Sequence, residues 1–317
     1  MGPEGDTPQS GFSFAGLPSS TTDISASRYV VIPVPYEATT EWLPGTRQGP
    51  LSIIESSRLL ELYDCELDAD VSHAGICTVD ELAPDLGGPE RMVATVKNEI
   101  GRWLDQDKVP VMLGGEHTIT IGAVQALVER YVGLSVLQLD AHADLRDSYL
   151  GARFSQATVM RRVRELCPAA QAGVRSLSSA ERQLIAEQSL PVIFWPPQGD
   201  ANTWLSKLTS ALTDTVYVTI DADVFDSAVL PWVGTPEPGG LTWNDIWLVL
   251  REVARQKTIV GFDVVEFCPR AGGAASSAYM LAKLVYRLIG YIWKGADGNP
   301  TNTPRAGSTE QEATQHG

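Results

Sequence analysis

Three short stretches collect the residue types that bind divalent metal. LSVLQLD runs into Asp140-Ala141-His142-Ala143-Asp144, TVYVTI runs into Asp221-Ala222-Asp223, and VPVMLGG runs into Glu116-His117. Side chains two apart in extended backbone point to the same side, so Asp140, His142 and Asp144 are expected to share one face, as are Asp221 and Asp223. Four carboxylates and two imidazoles in one crevice repel one another and are costly to desolvate unless a cation compensates. A mixed oxygen and nitrogen donor set favours a pair of ions such as Mn²⁺ over a thiolate zinc site. Such a pair would lower the pKa of a bridging water and hold the resulting hydroxide as nucleophile. Any one stretch alone also fits a strand end with capping aspartates and a satisfied histidine; the combination points to metal.

These stretches need elements that bring their ends together. Short apolar runs, RYVVIPV, VPVMLGG, LSVLQLD, PVIFW, TVYVTID and TIVGFDVVE, alternate with segments of helical period such as Pro89 to Asp105 and Ile119 to Tyr131. A last amphipathic segment places Leu281, Leu284, Val285, Leu288 and Ile292 on one side. Alternation of this kind predicts an α/β fold, a three-layer αβα arrangement with a mainly parallel central sheet. Ligands in such sheets collect at the carboxyl ends of the strands, where the acidic stretches lie. Residues 26–293 read as a single catalytic domain, between polar Gly-, Pro-, Ser- and Thr-rich tails at 1–25 and 294–317.

Composition narrows the functional class. With 317 residues, 44% of them hydrophobic, the chain can bury a full core. A formal net charge of -15 argues against a nucleic-acid partner, since the longest basic cluster is Arg161-Arg162-Val163-Arg164. An acidic surface suits cationic small molecules. Four scattered cysteines, Cys65, Cys77, Cys167 and Cys268, form no C-x-x-C pair and read as reduced structural thiols. No signal peptide or membrane-length apolar segment is apparent, so a cytoplasmic protein without a membrane partner is expected.

The sequence resembles the ureohydrolases, the arginases, agmatinases and relatives that hydrolyse guanidino compounds at a binuclear manganese centre. The resemblance runs from about Tyr29 to Trp293. It is carried by Pro35-Tyr36-Glu37, PGTRQGP from Pro44 to Pro50, GGEHTIT, DAHADLRD, TIDADVFD, the loop GTPEPGGLT from Gly234 to Thr242, and GFDVVEF around Glu266. It implies an arginase-like fold in which His117, Asp140, Asp144 and Asp221 hold one metal ion. His142, Asp140, Asp221 and Asp223 would hold the other, with Asp140 and Asp221 bridging. It further implies that Asp144 helps hold and deprotonate the bridging water and that Glu266 orients the guanidinium. A carboxylate suits that task because its two oxygens match paired N–H donors. The segment DLRDSYLGARFSQATVMRR looks like the agmatinase version, and the arginase loop that grips an amino acid's α-groups is not found, so a simple or decarboxylated guanidino substrate is expected. The family implies closed homo-oligomers, trimers or hexamers.

The pattern breaks in three places. Where family members carry a proton-shuttling histidine after the serine, Ser155 is followed by Gln156, which does not titrate. Two of the four histidines, His117 and His142, are committed to metal; His316 lies in the tail, and His73 reads as a surface or turn residue. Trp232 stands where a glycine is common and is a candidate pocket wall or cation–π partner, with plain loop packing an equal alternative. Cys268-Pro269-Arg270-Ala271-Gly272-Gly273 lacks an expected aspartate. These departures leave two alternatives beside an agmatinase-like hydrolase: hydrolysis of an atypical guanidine or biguanide with Ni²⁺, or a regulatory subunit of a hetero-oligomer with an active paralogue.

Overall fold

The computed structural model describes residues 12–18, 23–270 and 273–297. Its strands are β1 (Tyr29–Val34), the short pair β2 (Tyr63–Asp64) and β3 (Ala69–Asp70), β4 (Ile76–Thr78), β5 (Val109–Gly114) and β6 (Leu134–Leu139). β7 (Ala169–Val174), β8 (Val192–Phe194), β9 (Thr215–Asp221) and β10 (Thr258–Val265) follow. Eight of them form one sheet in the order β4-β1-β5-β10-β9-β6-β7-β8, and every pairing in it is parallel.

The helices are α1 (Gly49–Ser57), α2 (Pro89–Leu104), α3 (Thr120–Arg130), α4 (Val159–Val163), α5 (Ser179–Glu187), α6 (Ala201–Ser210), α7 (Trp243–Gln256) and α8 (Ala275–Asp297). Strand residues alternate between two apolar layers. Tyr29 and Val31 face a layer built with α1, α6, α7 and α8, while Val30, Ile32 and Val34 face one built with α2, α3, α4 and α5. Both faces of the sheet are therefore covered, which is why its strands read as continuous apolar runs. The helices begin where local chemistry allows: Pro89 opens α2, and a Thr242/Asp245 capping box opens α7. Leu281, Leu284, Val285, Leu288 and Ile292 of α8 all lie in the first apolar layer, as their spacing predicts.

Three features differ from the sequence expectation. Phe14 and Leu17, inside the stretch read as a tail, pack into the core, and α8 continues to Asp297, past residue 293; most of the two tails lies outside the described residues. β4 and β7 were not anticipated. β7 reads AAQAGV, with small residues where β-branched ones are usual, because loops crowd its end: a Cβ on Gly173, at φ +103°, would lie 2.7 Å from Val224 and 2.8 Å from the Asp140 carbonyl oxygen. Among the described residues, no helix is long and apolar enough to cross a membrane.

Candidate metal centre

The four central strands end level with one another. Leu139 pairs with Ile220, Val265 with Asp221, and Val264 with Leu113, so the residues that follow each strand emerge on one rim. Asp140, Asp221, Glu266 and the Gly114–His117 turn all sit there.

The reason Asp140, His142 and Asp144 converge differs from simple strand alternation. β6 stops at Leu139, and residues 140–144 form a loop tied to the neighbouring segment by a bridge between His142 and Ser176. Asp144 is turned inward by a left-handed backbone, φ +52°. Asp221 closes β9, whereas Asp223 lies on a 3-10 turn whose N–H donates to Asp221 Oδ1 at 2.8 Å. Glu266 also has a left-handed backbone, φ +61°, just beyond β10. Strained conformations on non-glycine residues at a strand-end rim mark a site where side-chain aim outweighs local comfort.

Two ligand clusters share one carboxylate. His117 Nδ1 lies 3.2 Å from Asp140 Oδ2, 3.2 Å from Asp144 Oδ2 and 3.3 Å from Asp221 Oδ2. His142 Nδ1 lies 2.9 Å from Asp223 Oδ2 and 3.6 Å from Asp140 Oδ1. His117, Asp140 and Asp221 can thus offer donors to one ion, and Asp140, His142 and Asp223 to a second.

The surroundings of His117 fit a metal. Its Nε2 is 2.9 Å from Thr219 Oγ1, which donates its own proton to Asp263 Oδ1 at 2.5 Å. Thr219 therefore accepts from Nε2–H, and the Nδ1 lone pair points at three carboxylate oxygens. That buried Nδ1 has no hydrogen-bond partner, although the oxygens surround it. Only a cation makes the arrangement attractive, whether a proton or a divalent ion.

Titration behaviour carries the same message. Burial opposes charge on His117 and His142, yet the aspartates outweigh it and raise both histidines above their ordinary range. Burial, then the Asp140 charge, pushes the Asp144 carboxyl up to about 7, and burial with Asp223 and Asp140 raises Asp221 well above the carboxylate range. Glu266 is pushed up to about 8 by burial, against the pull of the His117 N–H it accepts at 2.7 Å. Asp140 alone among these is held low, by the two histidines, which outweigh its own burial. The carboxylates are therefore not all charged together unless positive charge is supplied.

Several supporting residues carried little signal in the sequence. Gln138 Nε2 donates to Asp140 Oδ2 at 2.6 Å and Asp144 Oδ2 at 3.3 Å; Gln171 Nε2 in turn donates to Gln138 Oε1 and to the Ala143 carbonyl. Asp263 accepts hydroxyls from Thr120, Tyr217 and Thr219. Alternation along β6, β9 and β10 places Gln138, Tyr217, Thr219 and Asp263 inside apolar runs, which is the one sequence cue they offered; Gln171 on β7 and Thr120 at the start of α3 offered none.

A cavity of about 220 Å³ opens over the cluster. Its lining includes His117, His142, Asp144, Asp221, Asp223, Gln156 and Glu266, with Glu41, Arg146 and Tyr149. Asp140 lies beneath, in both ligand clusters. Trp232, expected as a pocket wall, does not line this cavity. Its indole packs beside Gly273, where a Cβ would come within 2.4 Å of the ring, and it rests against the first apolar layer. His73 is exposed on the 3-10 turn Val71–Ala74 and does not line the cavity either. His316 falls outside the described residues.

Comparison with known proteins agrees with this geometry. The model of the Arginase family matches residues 27–290. The chain is 39% identical over 280 residues to the N(1)-aminopropylagmatine ureohydrolase of Synechocystis, covering 85% of this chain and 90% of the relative. It is 36% identical over 276 residues to the agmatinase of Pyrococcus horikoshii, covering 85% and 94%. The crystal structure of the agmatine ureohydrolase of Thermoplasma volcanium superposes with a TM-score of 0.78 at 28% identity, covering 86% of this chain and 92% of that one. A family match across most of the chain, joined by relatives matched over nearly their whole length, shows that the chain belongs to the arginase family, as a metal-dependent hydrolase of C–N bonds in guanidino compounds.

Proposed function

We propose that the substrate is an agmatine-like guanidino compound, one whose far end carries an amine rather than an amino acid's carboxylate. The charge of the cavity lining carries this reading: apart from the residues proposed to hold metal and guanidinium, Glu41 and Glu181 are acidic, and Arg146 is the one Lys or Arg in the lining. Arg146 is itself engaged, with its guanidinium over the Tyr149 ring at 5.1 Å and its Nε 4.0 Å from Glu181. A cavity of about 220 Å³ suits a slender molecule better than one of drug size. The names of the two relatives, an agmatinase and an aminopropylagmatine ureohydrolase, support the same class.

His117, Asp140, Asp144 and Asp221 would hold one ion and His142, Asp140, Asp221 and Asp223 the other. Mn²⁺ is proposed for its match to oxygen-rich ligation, with Ni²⁺ the alternative that imidazole also suits. When bound, the pair supplies Lewis acidity that acidifies water and balances the buried carboxylates. Glu266 pairs with guanidinium N–H groups and fixes the electrophilic carbon against the cluster. Asp144, lining the cavity, accepts the proton that the attacking water loses. As the C–N bond to the amine breaks, the adduct collapses to urea, and the amine leaves with the proton that Asp144 took from the water.

Gln156 favours a second reading, since a neutral amide replaces a titrating group: guanidine itself or a biguanide, whose leaving groups differ in basicity. A closed homo-oligomer, trimer or hexamer, is proposed on the family resemblance, and light scattering reads it directly. Substrate choice is tested by urea release from agmatine, aminopropylated agmatine, arginine, 4-guanidinobutyrate and guanidine. The amine-ended compounds are expected to exceed arginine in kcat/KM by about 10-fold or more, the worth of one charged contact. A preference for arginine or guanidinobutyrate would overturn the proposal.

A further inference from the structure

The amide of Gln156 is held by a network whose proton count fixes the direction it faces. Glu116, fully buried, accepts Ala38 N and Thr39 N on Oε2, each at 2.6 Å. On Oε1 it accepts the hydroxyls of Thr39 at 2.8 Å and Thr118 at 2.6 Å. A carboxylate has about four lone-pair directions, and here all are filled. Thr39 has a single hydroxyl proton, and donating it to a buried carboxylate gives a bond about twice as strong as one to a neutral amide.

The Thr39 oxygen is then left only as an acceptor, and two atoms of Gln156 approach it. The backbone N lies 3.3 Å away, and the amide atom assigned as Oε1 lies 2.6 Å away. A carbonyl there would put two oxygens in contact with no proton between them. The two ends of a carboxamide are told apart by their hydrogen-bond network. This network places Nε2 on Thr39, so that Thr39 donates once and accepts twice, its full capacity. The carbonyl oxygen then faces away from Thr39, on a side chain that lines the cavity.

We propose that Gln156, locked by Thr39 and Glu116, is a fixed neutral hydrogen-bond acceptor for an N–H of the substrate. It is a specificity-determining residue rather than a proton carrier. A mono-substituted guanidinium carries five N–H groups; Glu266 can pair with two, and the remaining three need acceptors if they are to be desolvated without penalty. An amide carbonyl accepts one of them at any ordinary pH and returns no proton to the leaving amine. The identity of the ligand rests on the guanidino-hydrolase reading, whereas the orientation of the amide does not.

Two measurements separate those parts. In chain labelled with ¹⁵N at glutamine side chains, Gln156 Nε2–H protons are expected to show a nuclear Overhauser contact to the Thr39 γ-methyl group. Its absence would overturn the orientation whether or not any compound is turned over. For the ligand, Thr39→Val and Gln156→Met are expected to raise KM for the preferred guanidino substrate about 10–100-fold, the worth of one hydrogen bond to a charged group. The kcat and its pH profile should change little, and Thr39→Ser should restore KM. A loss confined to kcat with a moved pH limb would instead assign proton transfer to this position, and unchanged KM in both variants would remove it from binding. If Thr39→Val fails to fold, Gln156→Met carries the same comparison. If no guanidino compound is turned over by the wild type, methylguanidine is titrated against the labelled amide; a shift of the Gln156 resonances supports the acceptor, and a titration without one overturns it.

Discussion

His117 Nε2 lies 2.9 Å from Thr219 Oγ1, and this contact decides which way the imidazole lone pair faces. Thr219 and Asp263 are register partners on neighbouring strands, so the pair that orients His117 is built into the sheet rather than into a loop. Asp263 is thereby a positioning residue for the proposed metal ligand.

Thr219→Val keeps the shape of the side chain and removes the acceptor. Metal affinity is expected to fall about 10–100-fold, as when other hydrogen-bond partners of ligating histidines are lost. Calorimetric titration with Mn²⁺ reads it; unchanged affinity would mean the imidazole is held by packing alone.

Glu266→Gln retains an oxygen that can accept the His117 N–H and removes the charge facing the substrate. A loss in kcat/KM of about 10–100-fold is expected, consistent with a charged hydrogen bond, with metal content unaltered. Metal analysis beside steady-state kinetics distinguishes this from loss of the centre.

Without metal, stability should fall as pH rises. Asp144, Asp221 and Glu266 are raised in the folded chain, so above about pH 4 it binds more protons than the unfolded chain; the loss of stability builds up to about pH 7 for Asp144 and about pH 8 for Glu266 and levels off beyond those values. His117 and His142 are raised too; their contribution is complete below their unfolded value and is lost at higher pH. Asp140, held low, acts in the opposite sense, stabilising above its unfolded value and failing only in stronger acid. Metal requires the deprotonated ligands, so the rise in Tm on adding Mn²⁺ should increase from pH 5 to pH 8. Melting curves with and without metal across that range check the sign.

Gly173→Ala brings a Cβ within 2.8 Å of the Asp140 carbonyl oxygen at a backbone angle, φ +103°, that alanine avoids. A cost of about 1–3 kcal/mol is expected from overpacking, seen as a lower denaturant midpoint together with weaker metal binding.

Much of the fold was legible because a doubly covered parallel sheet writes itself as apolar runs with turns between them. The strands bearing DAHAD, DAD and GGEH were readable for that reason. β7 was not, because AAQAGV answers to crowding at Gly173 and to the hydrogen bonds of Gln171 rather than to strand propensity. The ligand residues stood out by type, but their convergence comes from the left-handed turn at Asp144 and the 3-10 turn at Asp223, which no periodicity announces. Trp232 drew notice for its size and is spent on packing against Gly273, a tertiary contact invisible in one dimension. Thr39 and Glu116 meet only because the 36–39 segment packs against the strand end, where a Cβ on Gly115 would lie 1.9 Å from the Tyr36 carbonyl oxygen.

Two ions held by this cluster are expected to enable hydrolysis of a guanidino compound. The most direct measurement is urea release from agmatine as the chelated chain is titrated with Mn²⁺, and in parallel Ni²⁺, with bound metal counted at each step. The metal-free chain is expected to release no urea, and activity to reach its plateau at two ions per chain. Turnover that survives complete chelation, or a chain carrying two ions that hydrolyses no guanidino compound, would contradict this reading.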